Sequence, residues 1–176
     1  MTTEDATTPP SAEGSGGWRP VRDLLDRVEA DEPGEVTYVE QRPARSDIAE
    51  LLGVPEGAPL VLRQRVVLAD DEPTAFIGLW LDPDVAHATG LDRLAPAAAS
   101  VRASIRSATG RDLGHVTEHL TARRATSAET KALGLPRNAP VLAVRATVGD
   151  DAGRRVLVVD LAFPGETYGF TDDYAL

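Results

Sequence analysis

The sequence has no cysteine. That excludes a disulfide framework, a thiolate nucleophile and a zinc–thiolate site. Histidine is almost as scarce, with only His87, His115 and His119. Aromatic residues are few. No apolar run approaches the roughly 18 residues that a membrane span needs. The N-terminus, "MTTEDATTPPSAEGSGG", has neither a basic n-region nor an apolar h-region, so it does not read as a signal peptide. A cytoplasmic location is expected. Basic residues are outnumbered, and the formal net charge is −10. A protein that binds DNA alone usually presents a basic face. Here the arginines are scattered, so no direct nucleic-acid binding is expected, and no membrane binding.

Familiar catalytic signatures are also missing. There is no GxSxG, Walker loop, GxGxxG or HExxH. His115 and His119 lie four residues apart on a strand-like segment, about 13 Å at roughly 3.3 Å per residue. One metal ion cannot bridge that distance, and no third ligand lies nearby in sequence. No metal, cofactor or catalytic residue is therefore assigned. Asp70-Asp71-Glu72 and Asp150-Asp151 fall in turn-like stretches and read as solvated turn residues.

The chain is the size of one ordinary domain. Residues 1–17 are small, polar and acidic, with little to bury, and read as a disordered tail. Residues 18–34 place Val21, Leu24, Leu25 and Val28 at helical spacing, with Pro20 near the start and Pro33-Gly34 beyond the end. This predicts a short amphipathic helix and a linker. Residues 35–176 form the remaining domain.

Within that domain one phrase occurs twice. "LGVPEGAPLV" starts at Leu52 and "LGLPRNAPVL" starts at Leu133. Each follows a short helical pattern, "SDIAELLG" or "SAETKALG", with Ser46 and Ser127 as expected N-caps. Each precedes a β-rich run, a turn signal ("DDEP" or "GDDAGR") and a second β-rich run that a proline ends, Pro83 or Pro164. "LAPAAASVRASIRSATG" between the halves reads as a helix closed by Gly110. The order is β-α-β-β, helix, β-α-β-β. It predicts an α+β fold: a six-stranded, mainly antiparallel sheet with helices on one face.

The repeat supplies its own control. Arg63 and Arg65 of the first copy correspond to Val144 and Ala146 of the second. A strand face that suits apolar contacts thus carries two guanidiniums in one copy. A buried arginine needs an anionic or multidentate partner. That partner is either a ligand carboxylate or phosphate, or an Asp or Glu of the chain itself. Asp160 interrupts the apolar run "VLVVDLAF" and corresponds to Leu79. It either faces solvent near the strand end or points into a pocket.

"DIAELLGVPEGAPLVLRQRVVLADDEP", a connecting helix containing Ser100, and "LTARRATSAETKALGLPRNAPVLAVRATVGDDAGRRVLVVDLAFPGETYGF" together resemble the UTRA domain. That domain is the effector-binding half of HutC-type GntR transcription regulators, and it shares the chorismate lyase-like fold. The resemblance spans roughly residues 35–170. It implies a small-molecule effector between the sheet and the loops over it, held by an arginine after the first Leu-Gly turn. Arg65 matches that position, with Arg63 beside it. It also implies an anion-holding Ser or Thr at the start of the connecting helix. Ser100 matches, with Arg102 close by.

Three departures qualify what the resemblance implies. The winged helix-turn-helix is absent. Two carboxylate positions read Ile77 and about Leu157. The closing motif reads Pro164-Gly165-Glu166-Thr167-Tyr168, without its arginine. Each lost carboxylate removes a charge-assisted hydrogen bond of about 1.5–3 kcal/mol. The expected effector is thus mono-anionic and less polar than a sugar phosphate. The expected ligand-binding set is Arg65, Arg63, Ser100, Arg102, Ile77, Asp160 and Phe163. The expected partners are that effector and either a second copy of the chain or a full-length regulator. The alternative is a lyase-type enzyme reusing the same pocket, with Arg65 holding a carboxylate and Asp160 or Glu118 as the acid.

Overall fold

The computed structural model describes residues 19–166. The tail expected at residues 1–17, and Thr167 and Tyr168 of the closing motif, lie outside the described residues. Helix α1 (Pro20–Asp26) and a 3₁₀ turn (Glu29–Asp31) lead into β1 (Gly34–Pro43), α2 (Ser46–Leu52), β2 (Pro59–Ala69) and β3 (Glu72–Leu81). After α3 (Pro83–Thr89) and α4 (Val101–Thr109) come β4 (Leu113–Arg124), α5 (Ser127–Ala132), β5 (Pro140–Asp150) and β6 (Arg155–Pro164). The six strands form one antiparallel sheet in the order β1-β2-β3-β6-β5-β4. This is the expected α+β class.

The repeated phrase is a scaffold device, and the two copies build closely similar turns. Gly53 and Gly134 end their helical segments at φ +72° and +63°. Gly57 and Asn138 repeat a left-handed conformation at φ +81° and +65°, which glycine and asparagine tolerate best. The same backbone bonds recur: Ala58 N to Pro55 O and Ala44 N to Ala58 O in the first copy, Ala139 N to Pro136 O and Ala125 N to Ala139 O in the second. The halves meet at β3–β6, where Gly78 pairs with Asp160 and Leu79 with Val159. Gly78 and Val159 are sequence counterparts, as are Leu79 and Asp160. A local two-fold therefore runs through the middle of the sheet.

Side chains alternate between the two faces of a strand. On one face Val61, Ile77, Leu79, Val144, Ala146, Val159, Leu161 and Phe163 join Val21 and Leu25 of α1, Ala86 of α3, and Val101 and Ile105 of α4. On the other face Leu60, Leu62, Trp80 and Val158 pack against Ile48 and Ala49 of α2. There too Val66, Phe76 and Ala162 pack with Leu133, just beyond α5. The one-sided helix layer thus holds for α1, α3 and α4. The two repeat helices lie opposite because each is joined to its strands by the same short turn, and the two-fold keeps both on one side.

Three local differences from expectation have physical causes. Helix α4 begins at Val101, not near Leu94. Ser100 caps it by accepting from Ala103 N at 3.2 Å, and Pro96 disfavours helix for the residue before it. Helix α3 was not foreseen beyond the strand-ending Pro83. Its signals are an Asp82 cap accepting from Asp84 N and Val85 N, proline in the first turn, and left-handed Gly90 at the end. Finally, Ser46 and Ser127 are the first helical residues, not the caps. Thr126 makes the capping box with Glu129, and Arg45 occupies the N-cap position of α2 without a side-chain cap.

Candidate functional site

Arg63 and Arg65 point from β2 into the face covered by α1, α3 and α4. They are 1% and 2% exposed, far below what an arginine tolerates without partners. The partners come from two loops. Arg63 Nη1 donates to Arg93 O at 2.6 Å and Leu91 O at 3.4 Å, and Nη2 donates to Ala95 O at 2.8 Å. The Nε/Nη2 edge of the same guanidinium faces Glu29, with Nη2 to Oε2 at 2.5 Å and Nε to Oε1 at 3.5 Å. Glu29 Oε2 also accepts from Ala97 N at 2.9 Å.

Arg65 is held by the same N-terminal strap. Its Nη1 donates to Glu32 Oε2 at 3.2 Å, and its Nη2 donates to the carbonyls of Glu29 and Glu32 at 3.1 and 3.0 Å. Among the described residues, Arg65 Nε is the one buried side-chain polar atom without a partner. The sequence left two kinds of partner open for these arginines, and in this structure Glu29 and Glu32 of the chain fill the role. Gly34 makes the crossing possible, since a Cβ there would lie 2.4 Å from Val66 O and 3.0 Å from Arg65 Nη2.

A cleft of about 340 Å³ adjoins this cradle, lined by Val39, Gln41, Val61, Pro83, His87 and Asp92, with Glu40 at its side. Val39 is the cross-strand partner of Arg63. His87 Nδ1 lies 2.9 Å from Asp92 Oδ2 at the cleft wall. The cleft wall mixes Val39, Val61 and Pro83 with the polar Gln41, His87 and Asp92.

The other expected residues fall in different places. Ile77 and Phe163 lie buried on the same face as the arginines, and Ile77 is the cross-strand neighbour of Arg65. Leu157 is also in that core, so both substituted carboxylate positions are apolar packing. Ser100 Oγ is used by its own helix. Arg102 donates to Asp26 Oδ1 at 2.5 Å and to Leu113 O, which ties α4 to α1 and β4.

Asp160 is on the opposite face of the sheet. Its carboxylate accepts from Arg145 Nε at 2.7 Å and Trp80 Nε1 at 3.3 Å, while Arg145 reaches Asp47 at 2.8 Å. Strand parity with the core residues Val159 and Leu161 signals that side. Burial alone would raise the Asp47 carboxyl, but the charges of Arg45 and Arg145 outweigh it and hold it below the usual range. Sequence reasoning missed Arg145, Glu29 and Glu32. Nothing within the sequence pairs Glu29 with an arginine 34 residues away.

Among the described residues no cluster of His, Asp or Glu has metal-binding geometry, and no helix is long and apolar enough to cross a membrane.

The sequence matches the model of the UTRA domain over residues 34–169. The chain belongs to the UTRA domain family. No curated protein matches the sequence. The fold is similar to that of the C-terminal domain of YurK from Bacillus subtilis (TM-score 0.70, 19% identity, 78% of this chain and 92% of that one). It is similar also to a putative transcriptional regulator from Streptomyces coelicolor (0.68, 29% identity, 79% and 90%). A third is the effector domain of PhnF from Mycobacterium smegmatis (0.68, 20% identity, 81% and 86%). The UTRA sequence and this antiparallel α+β architecture are those of a ligand-sensing regulatory module. The Arg63–Arg65 cradle and the phrase at Leu52 lie inside the matched range. Glu29 and Glu32 lie before it.

Proposed function

We propose that this UTRA domain senses a small anionic molecule at the Arg63–Arg65 cradle, in the manner of HutC-type regulators. The molecule carries one carboxylate on the cradle and places a less polar body in the cleft of Val39, Val61 and Pro83. One observation carries this reading. Two guanidiniums stand, almost fully buried, where the other half of the repeat packs Val144 and Ala146. Packing alone is served by the apolar pair, and buried charge is costly to maintain. The module is proposed to act in the cytoplasm as a homodimer or on a full-length regulator.

The sensor reading is favoured over a lyase. An elimination catalyst would need its carboxylate holder and its acid around one substrate. Arg65 and Asp160 sit on opposite faces of the sheet. Glu118, the other candidate acid, accepts from Val21 N. Native mass spectrometry of the purified protein, incubated with fractionated metabolites, tests the proposal. The expected result is retention of one small carboxylate by the wild type that is lost in Arg63→Met or in Arg65→Met. No retained molecule from any fraction, or equal retention by all three proteins, overturns it.

A further inference from the structure

The seat around Arg63 contains its own answer to what fits there. Three carbonyls, those of Leu91, Arg93 and Ala95, fix the far side of the guanidinium. They leave the Nε/Nη2 edge pointing at one place, and Ala97 N points at the same place. Three N–H donors converging in this way make a carboxylate seat, because a side-on guanidinium edge matches the two oxygens of a carboxylate. Every donor comes from within residues 34–169, the family domain. The occupant, the Glu29 carboxylate, comes from the strap that precedes it.

We propose that Glu29 is an exchangeable internal ligand: its side chain holds the seat that the carboxylate of the effector takes, and binding swaps one carboxylate for the other. This rests on the sensor reading above and adds the identity of the group exchanged. The swap conserves charge, since Arg63 is neutralised by one carboxylate before and after. It requires only the side chain of Glu29 to leave. The backbone carbonyls of Glu29 and Glu32 still hold Arg65, and Glu32 still pairs with it. Exchange is felt next door, because Ala30 N donates to Ala97 O at 3.1 Å. Movement at residue 29 reaches Asp26, the last residue of α1, within three residues. Occupancy of the seat is thereby coupled to the segment that enters the domain.

The test is chemical rescue. Glu29→Ala empties the seat, and its thermal unfolding is followed in sodium acetate against sodium chloride at equal ionic strength. The expected result is a saturable, acetate-specific rise in Tm of about 3 °C or more. The same acetate leaves the wild type unchanged, and the rise vanishes in Glu29→Ala/Arg63→Met. Hydrogen exchange at Ala97 N should quicken in Glu29→Ala and slow again in acetate. If Glu29→Ala is unfolded in chloride, acetate-dependent folding is the same readout, and Glu29→Ser gives a second variant. No acetate response in either variant overturns the exchange, as does an equal response without Arg63. A larger response to inorganic phosphate than to acetate overturns the carboxylate assignment. Failure is separable from that of the sensor reading. A metabolite retained by the wild type through Arg65, with no acetate response, overturns the exchange alone. Acetate uptake by Glu29→Ala, with nothing retained by the wild type, overturns the sensor reading and makes Glu29 a permanent plug.

Discussion

Removing Glu29 and removing Arg63 are not equivalent losses. Glu29→Ala strands a guanidinium that is 1% exposed, and breaking one side of such a pair costs about 3–5 kcal/mol. Glu29→Leu/Arg63→Met removes both charges, but it also leaves the carbonyls of Leu91, Arg93 and Ala95 and the Ala97 amide without their partners, at about 1–3 kcal/mol for each that stays buried, so it should not restore wild-type stability. Urea unfolding of the wild type and the two variants checks this: both variants should be less stable than the wild type, and the double variant should not exceed Glu29→Ala. A second residue-scale prediction concerns Glu129. Burial pushes its carboxyl up, but the Arg123 guanidinium, at 2.7 Å to each oxygen, and the Thr126 amide hold it below the usual carboxylate range. A group depressed on folding stabilises above its unfolded value and loses that contribution as pH falls through the folded one. The α5 corner should therefore loosen only in acid, and Arg123→Met should move that transition to higher pH, measured by the chemical shift of Thr126 N–H. The two arginines on β2 were legible from the repeat, because Val144 and Ala146 showed what the position otherwise holds. Glu29, Glu32 and Ala97 were not, because Glu29 meets Arg63 and Ala97, and Glu32 meets Arg65, only after the strap and the loop before α4 close over the sheet.

At the scale of elements, turn chemistry decided what could be foreseen. The strands and the repeated turns follow from β-branched runs bounded by Gly and Pro, and they lie where the pattern placed them. The Asp70-Asp71 turn joins β2 to β3 in two residues, both left-handed at φ +50° and +65°. Such a turn prefers Asn-Gly. Asp71→Gly should raise stability by about 0.5–1 kcal/mol without altering the register of Ala69 with Glu72, and equilibrium unfolding measures it. Gly34→Ala should do the reverse, since its Cβ would strike the Val66 carbonyl and displace the strap from Arg65. The extent of α4 was misread because Ala97–Ala99 have high helix propensity. Their tertiary task outweighs it: the chain from Leu91 to Ala97 is spent on Arg63 and Glu29.

For the whole molecule, the two-fold repeat makes a sheet with unequal faces. One face buries the arginine cradle under α1, α3 and α4. The other carries the Arg145–Asp160–Asp47 cluster between the two repeat helices. Alternation along β6 puts Asp160 on that second face, away from the arginine cradle with which the sequence pattern had grouped it. Among the described residues the sheet ends at β4, with no strand paired to its outer edge, and Leu120 there is 41% exposed. An unpaired edge of this length is a template for another chain. A concentration-dependent dimer in sedimentation equilibrium is expected, and Leu120→Glu should weaken it. The central claim, that Arg63 offers a carboxylate seat now filled by Glu29, is tested most directly by a crystal structure of Glu29→Ala grown in acetate. The account predicts a planar acetate on the Nε/Nη2 edge of Arg63, accepting also from Ala97 N. An Arg63 that has turned away, or a seat taken over by Glu32, would contradict it.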